Sequence, residues 1–541
     1  MADKKSGVYY YLTDNSVRIG GGSGFGGIVP MYTMKGPVGE LISVSAQDYR
    51  DKLGYDLGYN PSYLGLDTML SSVARLNVLR MNVNPVLGWR AWKFTGSVLQ
   101  DNESGFGDPV SSPPIFYSTD ELAFEDFDVW VAHKTPGHWG YFGVRFTELE
   151  EGVDYLLEYA EKKGSSSYTI LQKYSFSLDP EADDFYEKVD FGDLVVGFNR
   201  GSDLQNPTLP KFPTDFPFYV PATETVAAVN PGYFMLANGT NGSKDGDKID
   251  GVPYNLVLDI NSRLTPIDKV SCDNVVVLNN LTQEAALINK IVSYCAKQDR
   301  SVFIDCPGYA KSQDPSTLDA EEAIAWVTGN DLLVDGGQYG QLIAGADLVN
   351  DGVRDLVVPP SAYLFQVYAN MYSNYGTTNY PPAGYLYSSV SVSKLKETNF
   401  GLWGDDLKTN RINYLVSGSR GVCIWEQRTL YNLGNSDLSY ASTVFILRDL
   451  KLRIMDFMDQ FTFRFTTPMD LLNIQSGLTS ILEGMKNNGF LVNYVLSVPT
   501  YEEAQAAGRE LDIDFKVSVV SDAEVITIRV GLENAANLRA A

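Results

Sequence analysis

Three glycines near the start, Gly22, Gly24 and Gly27 in "SVRIGGGSGFGGIVP", spell G-x-G-x-x-G. That spacing holds a dinucleotide when a strand precedes it and a helix follows, because the helix N-terminus presents free N–H groups to the pyrophosphate. Here the next residues, "IVPMYTM", are β-like and contain Pro30, so no helix opens. The alternative is a glycine hinge with no chemistry.

Histidine catalysis has little to work with. The two histidines are His133 and His138, in "HKTPGHWG". A serine or cysteine nucleophile needs a positioned base, and no G-x-S-x-G elbow occurs. The pair also lacks the spacing of a protein zinc site. "ELAFEDFDVW" brings Glu125, Asp126 and Asp128 together, which in type permits a glycosidase-like pair and equally describes a solvated acidic face. "DGDKIDG", Asp245 to Gly251, lacks the alternating ligands and distant Glu of a calcium loop and reads as a polar turn. Cys272, Cys295, Cys306 and Cys423 form no CxxC and read as reduced thiols. The expectation is no catalytic, cofactor-binding or metal-ligating residue, and no cofactor.

The elements around these residues say more. A chain of 541 residues predicts two to four domains, and 44% hydrophobic residues suffice for real cores. A net charge of -25 disfavours direct nucleic-acid binding. The start, "MADKKSGVYY", lacks the apolar core of a signal peptide, and no long apolar run predicts membrane insertion.

Residues 7–19 read as two short strands around Asp14–Asn15, and a short helix begins near Ser45 with Asp48 at the capping-box position. From about Gly88 to Gly251 short strands and turn signals dominate, which predicts a β-rich domain. "VVVLN", "TQEAALINKIVSYCAKQ" and "SVFIDCP" then predict a βαβ unit with parallel strands. Ser316 and Asp319 predict the start of another helix, which Gly329 stops.

Leu447, Leu450, Ile454, Phe457 and Phe461 form a helical stripe, with Arg448, Lys451, Arg453 and Asp456 on the other face. Thr467-Pro468-x-Asp470 reads as N-cap, N1 proline and N3 acid, and Gly489 as the stop. Three strands follow, "FLVNYVLSV", "LDIDFKVSVV" and "AEVITIRVGL". Residues 394–464 carry ten cations against eight acids in an otherwise acidic chain, which could face an acidic partner.

Several stretches, in order, resemble the tail sheath proteins of contractile-tailed bacteriophages and related contractile injection machines. They are "GGIVPMYTMKGPVGELISVSAQDYRDKLG", the turn "TPGHWG", the turn "LANGTNGS", "VVPPSAYLFQVYANMYSNYGTTNYPPAGY" and "RINYLVSGSRGVCIWEQRTL". In the turn "LANGTNGS", Asn238 and Asn241 replace the usual Gly and Asp, and Glu426 stands where the family has a glycine.

The resemblance implies an α/β (α+β) multidomain fold. It has an N-terminal arm and hinge over 1–25, a discontinuous sheath domain over 26–90 and 251–400, an inserted β-rich outer domain over 91–250, and a C-terminal α/β domain over 401–541. It implies a non-enzymatic subunit that polymerises with itself as stacked rings around an inner tail tube protein, beside baseplate and terminator proteins. Such a subunit is assembled in a host cytoplasm and ends in the virion tail.

The arms would donate strands to neighbouring subunits through Val8, Tyr9, Tyr10 and Tyr11 at one end and Glu524, Val525, Ile526, Thr527, Ile528 and Arg529 at the other. Gly20, Gly21, Gly22 and Gly24 would be the hinge, since glycine tolerates the φ/ψ change. Arg448, Lys451 and Arg453 would face the tube. The rivals are a carbohydrate-active or nucleotide-using enzyme, and an acidic surface-layer or adhesin protein, which would require an export signal.

Overall fold

The segment "GGIVPM" forms an interior strand of the largest described sheet rather than a phosphate loop. The computed structural model describes residues 25–521 except 86, 96–97, 102–127, 138–141, 151, 163–166, 199–211, 213–215, 222–228, 237–242, 250–251, 272, 307–319, 331, 333–335, 346, 351–354, 393, 396–399, 432–435, 465 and 509.

Among the described residues that sheet has nine strands. From one edge they are Ser389–Val390, Gly421–Trp425, Ile412–Gly418, Gly340–Ala344, Val302–Asp305, Asn274–Val277, Gly26–Met31, Leu76–Arg80 and Leu41–Val44. The six from Ile412–Gly418 to Leu76–Arg80 are parallel, and the strands outside them pair antiparallel. Pro30 is tolerated because pairing to Asn274–Val276 ends at Ile28, so its missing N–H falls beyond that ladder.

Alternate side chains feed two cores, as a sheet covered on both faces requires. Val29, Val275, Val277 and Phe303 face the helix Pro360–Tyr375. Ile28, Val276, Val302 and Ile304 face the helix Ala285–Ala296. The predicted βαβ unit is thus present, with parallel register between Val276–Val277 and Val302–Phe303.

Gly27 packs so closely that an added Cβ would lie 2.6 Å from Phe365 Cε2 and 2.9 Å from Leu76 Cδ2. Its role is close approach of strand to helix. The boundary expected at 401 falls inside the sheet, because Leu342–Ala344 pairs with Ile412–Tyr414.

Among the described residues the β-rich region contains two four-stranded antiparallel sheets, the first built on Trp89–Thr95 and Val129–His133, the second on Phe142–Glu150, Asp154–Lys162 and Tyr168–Ser177. Their core is aromatic, with Trp92 edge-on to Phe146 at 6.0 Å and to Phe216 at 5.4 Å.

The C-terminal part is a helical hairpin, Ala441–Asp459 and Pro468–Asn487, joined through Leu450, Ile454, Ile474, Leu478 and Leu482. Gly477 lets the helices meet, since a Cβ there would overlap the Phe457 ring. The capping box is complete: Thr467 Oγ1 accepts from the Asp470 N–H at 3.2 Å, and Asp470 Oδ2 from the Thr467 N–H at 3.2 Å. Near the start only half of the expected box forms. Asp48 Oδ1 accepts from the Ser45 N–H, and the regular helix covers Tyr49–Leu53.

Glu426, standing where a glycine was expected, has φ +68°, the left-handed conformation that favours glycine. The result is a mixed α/β multidomain architecture.

Candidate functional site

A doubly wound sheet binds ligands outside the carboxyl ends of its strands, where strand order reverses. Here that point lies between Gly26–Met31 and Asn274–Val277. The chain fills it with its own groups. Asn60 Nδ2 donates to the Tyr32 carbonyl at 2.8 Å, Asn279 Nδ2 to the Ser62 carbonyl at 2.8 Å, and the Thr33 N–H to Asn82 Oδ1 at 2.8 Å.

One strand further on, Asp305 ends Val302–Asp305. It accepts from the Ser361 N–H and hydroxyl, both at 2.8 Å, and from the Asn280 N–H at 2.6 Å. Ser361 lies in the first turn of Pro360–Tyr375. The helix N-terminus that a phosphate would seek therefore holds the chain's own carboxylate. Burial pushes the Asp305 carboxyl up to about 6, against the pull of its hydrogen bonds.

The other chemical candidates also have structural occupations. His133 is fully buried at the end of its strand, and burial first, then Lys35, holds its imidazole well below the usual value. Asp245 Oδ1 accepts from the Leu256 N–H at 2.8 Å and Asp247 Oδ2 from the Lys244 N–H at 2.7 Å, as a polar turn requires. Glu125, Asp126, His138 and Cys272 lie outside the described residues.

Cys295, Cys306 and Cys423 are buried free thiols. A hollow of about 250 Å³ is lined by Asn261, Asn289, Lys290, Ser293, Tyr294 and Lys297, with no carboxylate in its wall. Among the described residues no group of three or more His, Cys, Asp or Glu could hold a metal ion, and no helix is long and apolar enough to cross a membrane.

The C-terminal part carries a two-stranded ribbon. Leu491–Ser497 and Asp514–Val519 pair antiparallel, with a bulge between Leu491 and Asn493. Tyr494, Leu496, Phe515, Val517 and Val519 turn toward the helical hairpin. Val492 and Val495 are exposed. A ribbon of two strands is marginal alone, and its backbone is suited to adding strands. Between its strands runs the helix Tyr501–Ala507, whose Thr500–Glu503 capping box was legible in "TYEE" but not expected above.

The arm residues Val8, Tyr9, Tyr10, Tyr11, Glu524, Val525, Ile526, Thr527, Ile528 and Arg529 lie outside the described residues, as do Gly20, Gly21, Gly22 and Gly24. Of the three tube-facing candidates, only Arg453 is exposed, paired to Asp449 at 2.7 Å. Arg448 and Lys451 are buried. That part of the helix meets the α/β body: Phe445 stacks on Tyr368 at 4.3 Å, and Lys451 pairs with Asp299, which also accepts from the Tyr339 hydroxyl at 2.5 Å. Asp305 and Asp299 went unnoticed in the sequence because a single acid beside a strand or helix end has no signature.

No protein-family model matches the sequence, and no curated protein matches it significantly. Solved structures do. The fold is similar to that of the sheath tail protein from Desulfitobacterium hafniense, with a TM-score of 0.51 and 11% identity over 91% of this chain and 93% of that one. It is also similar to the sheath tail protein from Listeria innocua, with a TM-score of 0.53 and 11% identity over 93% of this chain and 96% of that one. At such identity the likeness establishes the fold, which is that of sheath tail proteins.

Proposed function

We propose that this chain is the structural subunit of a contractile tail sheath. It polymerises with itself as stacked rings around an inner tube protein, between baseplate and terminator proteins. It contracts to drive the tube through a target cell envelope. The observation that carries this reading is the likeness of fold to two sheath tail proteins over nearly the whole length of all three chains.

The Asp305 carboxylate seated at the N-terminus of Pro360–Tyr375 favours a scaffold over a nucleotide-using enzyme at that crevice. The two-stranded ribbon Leu491–Ser497 with Asp514–Val519 is the sheet to which we assign the receiving of donated strands. The donors in this reading are residues 8–11 and 524–529 of neighbouring copies, with Gly20–Gly22 and Gly24 as the compliant joint. Arg453 is the residue we assign to the tube face.

Deleting residues 2–19 tests the reading. Circular dichroism and the thermal unfolding profile should match the full chain, while sedimentation should show loss of high-mass assemblies. Assembly at the full-length level would remove the N-terminal arm from the mechanism.

A further inference from the structure

Six lysine and arginine side chains are buried among the described residues: Arg80, Arg90, Arg300, Arg428, Arg448 and Lys451. Five have partners. Arg300 donates to the carbonyls of Ser271, Asn274, Ile267 and Val270. Arg80 donates to the Gly36 carbonyl, and Arg90 to the Met235 carbonyl. Arg428 faces the Glu426 carboxylate at 3.6 Å, and Lys451 pairs with Asp299.

Arg448 is different. It is 7% exposed, its Nη1 is sealed from solvent without an acceptor, and its guanidinium carbon rests 4.5 Å from the centre of the Phe445 ring. An aromatic face compensates a cation only in part. A guanidinium nitrogen sealed from water without an acceptor leaves its desolvation cost unmet.

The position of Arg448 is informative. Phe445, whose ring Arg448 covers, stacks on Tyr368 of the helix Pro360–Tyr375. Arg448 thus sits where the helical hairpin meets the α/β body. We propose that Arg448 is a receptor for a carboxylate supplied by a second copy of this chain when subunits assemble. This rests on the sheath reading above.

A planar fork of N–H donors matches a carboxylate. A chain with 67 acidic and 42 basic residues brings carboxylates in excess to any contact between copies. The lone subunit then carries the cost of an unpaired charge, and assembly removes it.

The test uses full-length protein with Arg448→Met and Arg448→Lys. Thermal unfolding is read below the assembly concentration, and assembly is read by sedimentation and electron microscopy. Arg448→Met should unfold at or above the wild-type temperature, while the concentration for half-assembly rises at least tenfold. Arg448→Lys, which keeps the charge and loses the fork, should fall between.

A lower unfolding temperature for Arg448→Met would mean that the arginine already serves the lone subunit, and would overturn the inference. Unchanged assembly would overturn it too, leaving the sheath reading intact as long as the wild type forms tubes. A wild type that never self-associates would overturn both.

Discussion

Replacing Asp305 by Asn probes whether a self-supplied anion holds the crevice closed. The carboxylate accepts three hydrogen bonds, from the Ser361 N–H, the Ser361 hydroxyl and the Asn280 N–H. An amide of the same shape presents one oxygen and one donor. The serine hydroxyl can reorient, but one backbone N–H is left facing an NH2 group. An orphaned buried donor costs about 1–3 kcal/mol, while the neutral amide is spared the burial of a charge, so at pH 7 the two effects oppose and Asp305→Asn should lie within about 1–3 kcal/mol of wild type.

The pH dependence has a definite sign. The folded carboxyl is raised from 3.8 to about 6, chiefly by burial. A raised acid contributes stability that is fully present below the unfolded value and declines as pH rises through the folded one. At about 1.4 kcal/mol per unit, the wild-type advantage over Asp305→Asn should be about 2–3 kcal/mol larger at pH 4 than at pH 7. Urea unfolding of both proteins at the two pH values measures the difference, and the other titrating groups cancel between them. An advantage that grows with pH would show that the hydrogen bonds outweigh burial, and would refute the reasoning.

Lys451→Met should cost about 3–5 kcal/mol by stranding Asp299 in the interior; Asp299→Asn in the same chain, which suits the φ of +54° and still accepts from Tyr339, should recover most of it, as denaturant unfolding would reveal. Gly27→Ala forces a methyl against Phe365 and Leu76 and should cost about 1–3 kcal/mol, read from the unfolding midpoint. Proline or β-branched replacements at Gly20–Gly22 and Gly24 should impair assembly or contraction before they alter the unfolding of the body, which paired sedimentation and melting curves would separate.

Local signals were read well where one short stretch carried them. Thr467-Pro468-x-Asp470 predicted a complete cap, "VVVLN" and "SVFIDCP" predicted parallel strands, and the residues after Gly27 predicted a strand in place of a phosphate-binding helix. What was misjudged depended on contacts between distant segments. The face of Ala441–Asp459 bearing Arg448 and Lys451 is polar by type, yet it is buried because Asp299 and Tyr368 lie opposite it. The boundary at 401 came with the family resemblance, and only pairing across the sheet assigns Ile412–Gly418 to the α/β body. Asp305 gains its role from Ser361 and Asn280, which are close in space and far apart in the chain.

The claim that this chain is a sheath subunit is tested most directly by electron microscopy of the full-length protein, alone and co-expressed with a candidate tube protein. The account predicts hollow cylinders with helical striations, a wide lumen and two lengths, long when filled by the tube and short when not. A protein that stays monomeric at high concentration and cleaves sugars or nucleotides would contradict it.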